Sequence, residues 1–229
     1  MTEWLQIGIL PVALTLLAYQ CGLWLQRKVK SPICNPILIA VILMLAFLSV
    51  TGMENQSYQS GMAALSWLMT PATICLAIPM YEQVSILKKN FTAILAGLTA
   101  GAVGSLLFVL AFSLLAGFDR QLTVSLLPKS VTSAIGVPLS QLADGVAAIT
   151  TLAIILSGIL ANILSTTLFR LFRLTDPIAQ GVAMGTSGHV IATSRANELS
   201  PLTGAVSSLS LVVAGLLTSV LFPLVIPLL

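Results

Sequence analysis

The chain has 229 residues, 57% hydrophobic and only 7% charged, with a formal net charge of +3 and a mean hydropathy of +1.05. A soluble domain carries roughly a quarter charged residues, so a water-exposed globular fold is excluded, and so small a net charge gives no ground for a nucleic-acid partner. Apolar runs of the ~20 residues that cross a bilayer recur along the whole length, which predicts an all-α polytopic membrane protein, 1–229, as a single transmembrane domain.

In chain order the apolar segments run at about 5–25, 32–50, 61–80, 91–117, 121–142, 145–169, 177–197 and 201–228, which gives seven to eight membrane segments. The first is read as a retained helix and not a cleaved signal, because no basic region precedes it and it is too long. Strands are excluded, since barrel spans alternate and are about half this length. Cys21, Cys34 and Cys75 are scattered without C-x-x-C spacing and read as buried apolar thiols. No metal-ligand cluster, P-loop or dinucleotide fingerprint appears, so no cofactor, ATP-driven step or enzyme activity is expected.

Basic loops stay on the cytoplasmic side. Arg27, Lys28 and Lys30 then place the N-terminus outside, and two further crossings bring Lys88 and Lys89 inside. If 121–142 and 145–169 both crossed, Arg170 and Arg173 would fall outside. The charge rule is met if 121–142 dips in and returns. Its sequence favours that: Leu127 to Pro138 holds two prolines, a glycine and a lysine. Proline removes a backbone donor and collides with the preceding turn, and irregular backbone survives at membrane depth only beside a cavity.

A weak internal echo accompanies this break. Residues 71–82 resemble 186–198 at an offset near 115, and Pro32–Ile39 resembles Ser130–Val137 at an offset near 98. These matches predict repeat halves of about 31–117 and 128–229, with broken helices in matching places and a site between them.

Four breaks supply the candidate site: Asn35-Pro36, Thr70 to Thr73, Pro128 to Ser133, and Gly185 to His189. Broken helices with N-termini facing one another at mid-membrane bind an anionic group such as a carboxylate. Asn35, Thr73, Ser130, Thr132, Ser133 and Ser187 would supply polar contacts, or would simply cap and pack their helices. Lys129 is a cation inside an apolar run, which costs a few kcal/mol and demands water or a partner. His189, the only histidine, can change charge near neutral pH, and Arg195 offers paired donors for a carboxylate; pairing with Glu198 is the structural alternative for Arg195. Gly185-Thr186-Ser187-Gly188 fits the G-x-S-G of intramembrane serine proteases. Ser187 and His189, however, lie roughly 200° apart on a helix, so a Ser–His dyad is rejected.

At these residues the sequence resembles the LrgB/CidB family. The likeness rests on Asn35-Pro36, Pro71-Ala72-Thr73 leading to Ala77–Tyr81, Pro128-Lys129-Ser130-Val131-Thr132, and Asp176-Pro177-Ile178-Ala179 leading to Gly188-His189 and Arg195-Ala196. It spans about residues 8 to 225. The resemblance implies two roles. One is antiholin-like modulation of murein hydrolase activity and autolysis with a small LrgA/CidA-type membrane partner. The other is carriage of small monocarboxylates, as in the plastid glycolate/glycerate carrier, which looks like such a pair fused. Ser133-Ala134 stands where relatives carry threonine-proline, so the geometry of that break is expected to differ.

The residues favour a multi-pass secondary carrier of small organic anions; that these are of the pyruvate, glycolate or lactate kind and that the membrane is a bacterial inner one is what the resemblance implies, and a homo-oligomer is compatible with the sequence without being fixed by it. A regulatory protein needs none of these buried polar groups. A pore would need a continuous polar face, which no helix offers.

Overall fold

The structure is a computed structural model that describes residues 10–29, 36–53, 55–75 and 77–229. Every regular element among them is helical. They fall in two compact units, Met1–Cys75 and Leu76–Leu229. No polar linker marks this division in the sequence.

In the first unit, α1 (Leu10–Val29) packs on α2 (Pro36–Thr51) at Gly22. A Cβ there would stand 2.6 Å from the Pro36 carbonyl oxygen, so only glycine allows the approach. Helices α3 (Asn55–Gly61) and α4 (Ala63–Cys75) follow, and Thr15 shares a 2.8 Å hydroxyl hydrogen bond with Tyr58. Helix α4 runs through Pro71, so the break expected at Thr70–Thr73 is not there. Proline forfeits one backbone hydrogen bond, a loss that membrane helices tolerate when nearby groups satisfy the freed carbonyl.

The second unit contains α5 (Ala77–Glu82), α6 (Val84–Lys89), α7 (Phe91–Ala116), α8 (Arg120–Leu126), α9 (Ser133–Leu142), α10 (Ala147–Leu171), α11 (Pro177–Leu199) and α12 (Pro201–Val225), with a closing 3-10 turn. Three stretches, Phe91–Ala116, Ala147–Leu171 and Pro201–Leu228, are long and apolar enough to span a membrane. At 1.5 Å per residue each reaches about 38 Å or more, beyond the ~30 Å hydrocarbon core. Leu152, Leu156, Leu160, Leu164 and Leu168 form an exposed ridge along α10, four residues apart. Such a ridge suits lipid and not water.

Helices α8 and α9 do not cross. Gln121 Nε2 donates to the Asp144 carbonyl at 3.2 Å, and the Val146 N–H donates to Ser125 Oγ at 2.8 Å. The end of this segment therefore lies beside its beginning. Asp119 starts it by accepting from the Leu122 N–H, and Pro128 ends α8 before the chain returns from Ser133. The expectation that 121–142 turns back is met.

Helix α11 also turns back. Gly181 faces Thr203 and Val206, Gly185 faces Ser207 and Ser210, yet Asn197 lies against Gly204 and Thr193 Oγ1 is 2.8 Å from Ser207 Oγ. Residues 181 and 197 of a straight helix would be about 24 Å apart; here both meet the same turn of α12. The reversal is at His189, whose φ of 41° and ψ of −136° are non-helical. The sequence places the break at Gly185 to His189, but Gly185–Gly188 stay helical. Gly188 is committed to close packing, since a Cβ there would stand 2.5 Å from the Cβ atoms of Ala161 and Ala192. The left-handed position thus falls on the histidine.

The hairpins enter from opposite ends. Gly97 faces Val182 and Gly101 faces Thr186, so the outgoing half of α11 runs parallel to α7. The α8–α9 hairpin starts where α7 finishes. One apolar cluster, Leu106, Val109, Val124, Leu127 and Phe222, seats the first hairpin; another, Met184, Ala192 and Ala196, closes the second upon itself. Of the two sequence echoes, Pro32–Ile39 begins outside the described residues. Pro71–Cys75 is helical where Thr186–Val190 contains the reversal, so that pair shares no local conformation.

Candidate functional site

The two tips meet halfway along α7 and α10. At the first tip, tight turns carry the chain past the proline: the Lys129 N–H donates to the Leu126 carbonyl and the Val131 N–H to the Pro128 carbonyl. Ser130 Oγ lies 2.9 Å from Ser105 Oγ of α7, and Lys129 Nζ donates to Ser130 Oγ at 3.2 Å. On the other side Ser157 Oγ of α10 donates to the Lys129 carbonyl at 2.5 Å. The tip is therefore held between two long apolar helices, by the Lys129 backbone on α10 and the Ser130 side chain on α7.

At the second tip His189 is buried, with Nε2 3.0 Å from the Ile154 carbonyl and its ring against Gly158. A Cβ on Gly158 would stand 2.7 Å from the ring carbon Cε1. The positive φ at a histidine costs of order 1–3 kcal/mol, strain of a kind concentrated at functional sites. Thr186 and Ser187 bond back to the carbonyls of Val182 and Ala183, which spares the helix end unsatisfied hydroxyls.

A cavity of about 560 Å³ runs between α7 and the outgoing half of α11. Ala93 and Asp176 stand at its mouth, Gly97, Gly101 and Val182 along its walls, and Ser105, Lys129, Ser130, Thr186 and Ser187 at its inner end. From Asp176 to Ser187 is about 16 Å along the helix, roughly half a bilayer. Glycines on α7 keep the two helices close, as small residues do in membranes. Asp176 caps α11 through the Ile178 N–H, so Lys129 is the one charged side chain at the inner end. Among the described residues the one ion pair joins Arg195 to Glu198.

The structure thus gathers Lys129, Ser130 and Ser187 at one cavity and puts His189 just behind it. Thr132 is the N-cap residue of α9 without a side-chain cap bond, and Ser133 is exposed on its first turn; neither lines this cavity. Arg195 does not line it either. It lies on the returning half of α11, with a side chain 37% exposed and bound to Glu198. Because an exposed ion pair contributes under about 1 kcal/mol, Arg195→Gln is expected to change carboxylate uptake into vesicles by less than about twofold. Thr73 belongs to α4 in the first unit, its side chain outside the described residues, as is Asn35 altogether.

Sequence reasoning missed Ser105, Ser157 and Thr186. The one available signal was a serine halfway along two strongly apolar spans.

No solved structure matches the chain. The LrgB-like family model matches residues 15–228, nearly the whole length. Together with its apolar spans, this match makes it a multi-pass membrane protein, and the chain belongs to the LrgB-like family.

Proposed function

We propose that this chain is a secondary carrier of small organic monoanions, of the pyruvate, glycolate and lactate kind, in a bacterial inner membrane, and that it performs no covalent chemistry. The observation that carries the reading is a cation without a carboxylate partner, Lys129, half-buried in the cavity between α7 and α11. A lone ammonium at membrane depth needs a compensating anion or water, and a transported carboxylate supplies the first. One positive charge, hydroxyls and small apolar walls suit a monoanion better than a dianion. Opposed hairpins with tips at mid-depth are also the arrangement in which a carrier exposes one site to two sides.

Orientation follows from charge. Lys88 and Lys89 precede α7, while Arg170 and Arg173 precede α11, so four basic residues flank the mouth of the cavity; the far end carries Asp119, Arg120 and Asp144. The basic end is then cytoplasmic. On this reading the eight apolar segments become six crossings and two hairpins.

The test is uptake of labelled pyruvate, lactate and glycolate into proteoliposomes, with and without a small LrgA/CidA-type partner. Saturable uptake of at least one, competed by the others, is expected. Rates no higher than in protein-free vesicles under both conditions would remove the carrier reading and leave the regulatory one.

A further inference from the structure

The two hairpins can be aligned residue by residue. Asp119 caps α8 and Asp176 caps α11, 57 positions later. The same step takes Pro128-Lys129-Ser130 to Gly185-Thr186-Ser187 at the two tips, and Gly101 of α7 to Gly158 of α10. Each long span precedes its hairpin, and the hairpins enter from opposite ends. Residues 91–142 and 148–199 therefore have the layout of an inverted pair, with a spacing unlike either echo found by sequence comparison.

The pair is not in equivalent states. Ala93, at the mouth of the open cavity, is exposed, whereas its counterpart Thr150 is 0% exposed. Phe108 is 66% exposed and its counterpart Ser165 only 6%. Gly97 and Gly101 border the open cavity, while Thr150 bonds to Ser140 and the Ile154 side chain meets Gly136, both of α9, and the His189 ring covers Gly158. One groove is open and its twin is filled.

From this asymmetry we propose a second, opposite-facing vestibule for the same small monoanion, formed between α8 and the first half of α10. It is lined by Thr150, Ile154 and Gly158 and opens when α9 lifts from Thr150 and Ile154 and the His189 ring leaves Gly158. Lys129 stands at the junction of the two vestibules, its backbone held on α10 by Ser157 and its side chain in the open cavity. The same cation thus serves both. This inference rests on the carrier reading and adds the route by which the anion leaves.

The test uses full-length protein without its native cysteines, carrying Ala93→Cys or Thr150→Cys, in oriented vesicles with a membrane-impermeant thiol reagent. Ala93→Cys is expected to label rapidly from the basic-loop side. Thr150→Cys is expected to label only from the opposite side, about ten- to a thousandfold more slowly, as for a minor conformer. Adding Gly136→Ala, whose Cβ would stand 2.8 Å from the Ile154 side chain and so loosens α9 from α10, is expected to raise the Thr150→Cys rate severalfold. No labelling of Thr150→Cys from that side, with uptake intact, overturns the second vestibule and leaves the carrier. Labelling of both cysteines from the same side overturns it as well. Opposite-side labelling without uptake of any carboxylate supports the exchange and counts against the carrier.

Discussion

Replacing Lys129 by glutamine is expected to lower carboxylate uptake about a hundredfold or more, with membrane insertion unchanged. The ammonium is the one charged group at the inner end of the cavity, and no carboxylate neutralises it in the structure. Opposite unit charges 4 Å apart attract by about 4 kcal/mol at an effective dielectric constant of 20, and 1.4 kcal/mol corresponds to about tenfold in an equilibrium constant. Insertion is not at risk, since a lysine at mid-membrane opposes it by about 3 kcal/mol. The substitution also leaves the tip in place: Ser157 holds the residue through its backbone carbonyl, and Ser130 stays bound to Ser105. Lys129→Arg separates charge from shape. It keeps the positive charge but spreads it over a larger planar fork, so uptake is expected to survive with a raised KM. Equal uptake by Lys129→Gln and unmodified protein would refute the placement of the anion at this cavity.

Why one hairpin was legible in the sequence and the other was not comes down to charge. Arg170 and Arg173 follow the α8–α9 segment, so the preference of basic loops for one side forces that segment to return. No charged residue follows Glu198. The segment 177–199 can then cross or return without violating any charge rule, and its small residues show no proline to mark the turn. Only the approach of Gly181 and Asn197 to the same stretch of α12 reveals it. Site residues divide in the same way. Lys129 was conspicuous because a cation in an apolar run needs a reason. Ser105 and Ser157 were not, because a serine inside a membrane helix ordinarily bonds to its own backbone; their partners across helices exist only in three dimensions. Arg195 lies off this cavity, in the Glu198 pairing that the sequence left as an alternative, for a geometric reason. The reversal at His189 sends the next ten residues back toward the basic end, where the guanidinium meets Glu198.

Introducing valine at Gly185 is expected to abolish folded protein, while valine at Gly104 is expected to be tolerated. A Cβ at position 185 would stand 2.5 Å from the Ser210 Cβ and 3.1 Å from the Leu211 backbone nitrogen, and closer still to the Ser207 carbonyl oxygen. Two of these three are backbone atoms of a buried helix, so no side-chain rotation relieves them. Overpacking in a tight core typically costs about 1–3 kcal/mol. Here the whole outgoing half of α11 must lift from α12, which puts the expected cost at or above the top of that range. Gly104 shares the chemistry and lies within α7, but a Cβ there meets nothing within 4 Å. The comparison thus controls for the lower backbone flexibility and higher bulk of valine itself. Size-exclusion profiles of detergent-solubilised protein after heating separate the two variants. The functional consequence follows from the same contact: Gly185 immediately precedes Thr186 and Ser187, so its approach to α12 fixes the depth at which the second tip meets Lys129. If Gly185→Val folded normally and still carried carboxylates, the close approach of α11 to α12 at this residue, and the depth it sets for the second tip, would be refuted.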